Sequence, residues 1–184
     1  MNKGNLAIVL HAHLPYVRTE KPGSLEEDWF FQALIECYLP LLETLENSAK
    51  EKEQDPKITI GLSPTLLALL ENKQLRKRFP NWISIRLKLL QNVDSYRKEP
   101  AEHLARHFKK QLNRWESYKG DLIRQFSHLE EIEVIDILTC AATHGYLPLL
   151  RENPEAVKAQ LQTAIREHSR LFGKSPLGIW LPEC

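Results

Sequence analysis

The chain has 184 residues, 42% of them apolar and 27% charged, the makeup of an ordinary globular protein rather than a disordered or fibrous one. Its 25 basic and 24 acidic residues leave a net charge of +1, so nothing marks a nucleic-acid groove or a basic membrane-surface patch. The longest apolar runs are strand-length, far short of the ~20 residues of a membrane span.

Four short apolar runs read as buried strands: Leu6–Leu10, Ile58–Leu62, Val134–Thr139 and Leu177–Leu181. None alternates cleanly with polar residues, which suits strands covered on both faces. Leu6–Leu10 follows a single Lys and no cleavage-like site, so no signal peptide is expected. Between the first two strands, Leu25 to Asn47 carries Phe30, Leu34, Cys37, Leu41, Leu42 and Leu45 at helical spacing. The segment 50–57 is a charged surface loop. After the second strand, Ser63-Pro64 opens a helix over Leu66–Leu70. Trp82–Tyr96 and Glu102–Leu129 read as two further helices, parted by Lys98-Glu99-Pro100. Pro154–Phe172, ending at Gly173, precedes the fourth strand.

The order β-α-β-α-α-α-β-α-β predicts an α/β fold with a parallel sheet and a long helical excursion, Leu66–Leu129, between strands two and three. Right-handed crossovers then put every strand's C-terminal end at one edge. Those ends carry His11 and His13, Ser63, His144, and Glu183. Each has a plainer reading: a His after a strand as a loop residue, Ser63 as a helix cap, Trp29 and Trp180 as core, Asp136 in a structural ion pair. His103, His107, His128 and His168 fall in helical patterns and take no role. Glu183, a carboxylate beside Pro182 at the tip of an apolar strand, is the strongest functional candidate, because α/β enzymes place catalytic groups there. Two chemistries fit the rim. A divalent metal held by His11, His13 and His144 would make a metal-dependent hydrolase or deacetylase. A glycosidase would instead use Glu183 with a second carboxylate. No Gly-x-Ser-x-Gly elbow supports a serine triad. Cys37, Cys140 and Cys184 are odd in number and lack CxxC spacing, so neither a disulfide framework nor a structural zinc site is expected, and a reducing, cytoplasmic setting is the default.

Three blocks are similar to the first three signature regions of glycoside hydrolase family 57: His11-Ala12-His13-Leu14-Pro15-Tyr16-Val17-Arg18, Ala141-Ala142-Thr143-His144-Gly145-Tyr146-Leu147-Pro148 and Gly178-Ile179-Trp180-Leu181-Pro182-Glu183-Cys184. Their variants resemble those of the family's 1,4-α-glucan branching enzymes. The resemblance implies that residues 1–184 are the N-terminal portion of an incomplete (β/α)7 barrel, cut after the third signature region. It implies a retaining double displacement on α-1,4-glucan such as glycogen, starch or amylose, with Glu183 as nucleophile. It also implies sugar contacts from His11, His13 and His144, and an aromatic at Trp29 near the glucan cleft. Neither a metal nor another cofactor is implied. The acid/base Asp of the family lies in a fourth region that this chain does not contain, so the 184 residues alone are expected to be inactive. An α-amylase or 4-α-glucanotransferase of the same family, or a non-catalytic glucan-binding remnant, fits the same blocks.

Overall fold

The computed structural model describes residues 4, 6–17, 20–50 and 57–182. These gather into two compact units. One holds residues 1–16, 45–69 and 126–184, the other 17–44 and 70–125.

The first unit is built on a parallel sheet of β1 (Val9–Ala12), β2 (Ile58–Leu62), β3 (Ile135–Cys140) and β4 (Ile179–Trp180), in that spatial order. Register is set by pairing Leu10 with Ile60, Ile60 with Ile137, and Cys140 with Trp180. The first strand starts three residues and ends two residues later than its apolar run suggests. Ladder bonds from Thr59 N–H to the Ile8 carbonyl and from Ser63 N–H to the Ala12 carbonyl fix it there and carry His11 into the strand. It is an edge strand, and Val9 and Leu10 are exposed, so β1 departs from the expectation of strands covered on both faces. β2 and β3 keep to it better, with Ile60, Leu62, Ile135 and Ile137 fully buried. Asp136, at the start of β3, pairs with Lys57 at 3.2 Å, the structural role foreseen for it. The helix α8 (Pro154–Phe172) has the predicted bounds: Asn153 Oδ1 accepts from Ala156 N–H, and Gly173 ends the helix at φ 70°.

In the second unit the run from Leu25 is not one regular helix. α1 (Leu25–Ala33) passes through a π-turn, Leu34–Tyr38, into α2 (Leu39–Ser48). Pro40 has no N–H for the carbonyl four residues back, and the widened turn absorbs the mismatch. After α3 (Pro64–Glu71), α4 (Lys73–Gln91) starts nine residues before the predicted Trp82, on an Asn72 cap, and runs through Pro80. Burial of Leu75, Phe79 and Ile83 at four-residue spacing outweighs the one hydrogen bond the proline forfeits. The predicted helix to Leu129 is likewise two: α5 (Lys98–Ser117) and α6 (Leu122–Glu131). Between them Lys119 and Gly120 take φ 54° and 66°, and a Cβ on Gly120 would sit 2.7 Å from the Trp115 ring. The core here is aromatic, with Phe31, Phe79, Trp82, Phe108 and Trp115 in a chain of ring contacts.

Candidate active site

β1 and the loop after β3 deliver three imidazoles to one place. His11 and His144 face each other Nε2 to Nε2 at 2.9 Å. The His144 ring stacks on His13 at 3.8 Å between centroids and 17° between planes. The outer face of His11 is covered by Trp180 from β4, 4.9 Å away and nearly parallel. On β2, Gly61 is the register partner of His11, and a Cβ there would meet His11 Nδ1 at 2.9 Å and Trp180 Cβ at 3.3 Å. The ring therefore lies in the space that the missing side chain leaves.

Ser63 serves two groups. Its Oγ accepts from Leu66 N–H, as a helix cap does, and lies 2.9 Å from His13 Nδ1. That arrangement lets the hydroxyl donate to Nδ1 and leaves the Nε2 side of His13 for other partners. Burial, and then the neighbouring His144 and His11, lower the His13 pKa to about 4, so its ring is neutral near pH 7.

Among the described residues, His144 is one of three non-glycine residues with positive φ, at 57°. Its loop is pinned from two helices. Gln160 Oε1 accepts from Thr143 N–H, Gln160 Nε2 donates to Thr143 Oγ1, and Thr65 Oγ1 donates to the Ala142 carbonyl. A strained backbone held by this many partners is a common feature of functional sites. His13 and His144 border a cleft of about 600 Å³ lined also by Tyr16, Thr65, Ala142 and Glu167. Cys140, at the end of β3, is fully buried, and burial raises its thiol to about 11. A second cleft of about 640 Å³ lies between α4 and α5 in the other unit and holds none of the strand-end residues.

Of the predicted site residues, His11, His13 and His144 come together. Glu183 lies outside the described residues. Trp29 sits on α1 in the other unit and is 47% exposed, so it is not the core residue its helix suggested. Beside it, Asp28 is tied inward, accepting from Trp82 Nε1 at 2.7 Å and pairing with Arg86. Trp180, expected in the core, is half-buried and stacked on His11. Sequence reasoning passed over Gly61, and it had no signal for Cys140 beyond a cysteine ending a strand.

The model of glycosyl hydrolase family 57 matches residues 7–184. A 1,4-α-glucan branching enzyme of Thermococcus kodakarensis is 34% identical over 99% of this chain and 27% of its own length. A probable 1,4-α-glucan branching enzyme of Mycobacterium tuberculosis is 25% identical over 98% of the chain and 38% of its own. Among solved structures, the family 57 branching enzyme of Pyrococcus horikoshii superposes with a TM-score of 0.90 at 35% identity, over 98% of this chain and 35% of that one. The α-amylase AmyC of Thermotoga maritima gives 0.89 at 32%, over all of this chain and 36% of that one. The chain thus spans about a third of the length of the relatives it matches.

Proposed function

The chain belongs to glycosyl hydrolase family 57, and on that premise we propose that it forms the glucan-binding N-terminal part of an α-glucan branching enzyme. The observation that carries the reading is the convergence of His11, His13 and His144, of which His13 and His144 line one cleft where imidazoles can meet sugar hydroxyls. His144 and His13 hold the sugar at the cleavage point, and His11, locked between Gly61 and Trp180, orients His144. Glu183 attacks the anomeric carbon of an α-1,4 linkage, and the leaving oxygen takes a proton from an acid outside these 184 residues. The glycosyl ester on Glu183 is then released to a glucan 6-hydroxyl, closing a retaining double displacement. Because one half of the carboxyl pair is not in this chain, the 184 residues bind glucan without turning it over.

Titration with maltoheptaose tests the binding half: the chain binds it, and His11→Ala and His144→Ala each weaken it at least about tenfold, about 1.4 kcal/mol. A chain with no affinity for maltoheptaose overturns the reading. Fusing residues 1–184 to the remaining two thirds of the Pyrococcus horikoshii enzyme tests the chemical half. The fusion makes α-1,6 linkages from amylose, and Glu183→Gln lowers the rate at least about a thousandfold.

A second reading, an α-amylase, is favoured by the near-equal superposition on AmyC. It differs only in the acceptor. New reducing ends without α-1,6 linkages, measured on the same fusion, would select it.

A further inference from the structure

Among the described residues, one group of three His, Cys, Asp or Glu side chains brings its donor atoms together: His11, Cys140 and His144, all within 4.8 Å of one another. We infer that these three residues form a binding site for a zinc-class ion, and that the ion and the glucan exclude one another there. The exclusion rests on the glucan reading above; the ion site does not.

The donor set is two imidazoles and a thiol, which suits zinc or copper(I) and not magnesium or calcium. The 2.9 Å between the two Nε2 atoms needs to open only to about 3.3 Å to match two imidazoles on one tetrahedral zinc. The site is also stiff. His11 is stacked on Trp180 and backed by Gly61, and His144 sits on a loop held by Gln160 and Thr65. Such pre-set rings lose little freedom when an ion binds. Cys140 forms the buried floor, with the two half-buried imidazoles above it. As the metal–sulfur bond forms, the thiol proton passes to solvent. The proton shared between the two Nε2 atoms moves to a ring Nδ1, so both Nε2 lone pairs face the ion. His13 stands outside the group of three whose donor atoms lie together. The fourth position is left to water or another oxygen donor. An ion so placed occupies the nitrogens that would meet sugar hydroxyls, which makes the site a point of metal inhibition.

The 184-residue chain, kept reduced, is titrated with zinc chloride alone and, separately, with cobalt(II). The expected result is one ion per chain and a thiolate-to-cobalt charge-transfer band. Cys140→Ser and His144→Gln should abolish the band and weaken zinc at least about a hundredfold. Cys37→Ser, Cys184→Ser and His13→Ala should keep it. His144 is on a surface loop, so His144→Gln remains informative if Cys140→Ser does not fold. Absence of a one-to-one ion, or a band that survives both substitutions, overturns the site whether or not maltoheptaose binds. Zinc binding that leaves maltoheptaose affinity unchanged overturns the exclusion. Zinc binding by a chain with no glucan affinity upholds the site and overturns the functional reading instead.

Discussion

The polar clusters of the two compact units gather different groups. In the helical unit Glu27, Asp28 and Glu43 each meet a base. Glu27, 4% exposed, accepts from Arg78 at 2.6 Å and from Gly23 N–H. Asp28 serves Arg86 and Trp82, and Glu43 serves Lys110 and Arg114, which hold its carboxyl below the usual range. In the sheet unit the strand ends gather like with like: three imidazoles and a thiol, with two of the rings stacked at 3.8 Å. Opposite charges drawn together satisfy each other and serve architecture. Imidazoles drawn together can each donate or accept, a chemistry suited to recognition.

The largest expected effect is in the helical unit. Arg78→Met strands the Glu27 carboxylate and should cost about 3–5 kcal/mol in urea unfolding, with maltoheptaose affinity unchanged. A cost under about 1 kcal/mol would break the contrast by making the pair dispensable.

Acid comes next and acts on the sheet unit. Burial, with Lys174 nearby, lowers the pKa of His168, 1% exposed, to about 4, as for His13. Both titrate near 6.5 when unfolded, so between pH 6.5 and 4 the unfolded chain binds more protons. The stability from neutral rings is complete above about pH 6.5 and is lost as pH falls toward 4, a loss on the order of 2 kcal/mol for each ring once solvent screening is allowed for. Imidazole NMR checks the cause, and a His13 midpoint near 6.5 would remove the like-with-like argument.

Gly61→Ala should cost about 1–2 kcal/mol and sharpen the comparison, because its main effect is on function. The added methyl displaces His11 and should weaken maltoheptaose binding severalfold. Unchanged binding would show that His11 does not orient the site. Smallest is Ser63→Ala, about 1 kcal/mol of stability from the lost helix cap, with a change in the His13 titration as its specific readout.

Local signals carried some elements whole. α8 kept its bounds because an Asn cap, a Pro first turn and a Gly stop all act within one turn of the helix they delimit. β2 kept its bounds as a buried run between charged and capping residues. Elsewhere a local signal lost to packing: Pro80 does not interrupt α4, which buries Leu75, Phe79 and Ile83, while Pro40 widened a turn without ending the helix. At the site, His11, His13 and His144 were legible because parallel strands put their ends together. Trp180 against His11, Gly61 beneath it and Cys140 beneath the histidines were not, since each contact joins strands far apart in the chain.

By itself the sequence determined the order of the strands and their alternation with helical segments, the family blocks and the residues able to do chemistry, because periodicity, caps and motifs are properties of neighbouring residues. Only the tertiary structure decided which of them meet. The hydrogen-bonded ladder set β1 later than its apolar run and brought His11 level with Gly61. The pinned loop after β3 turned His144 toward it. Those distances depend on pairing between strands, which residue order constrains but does not state.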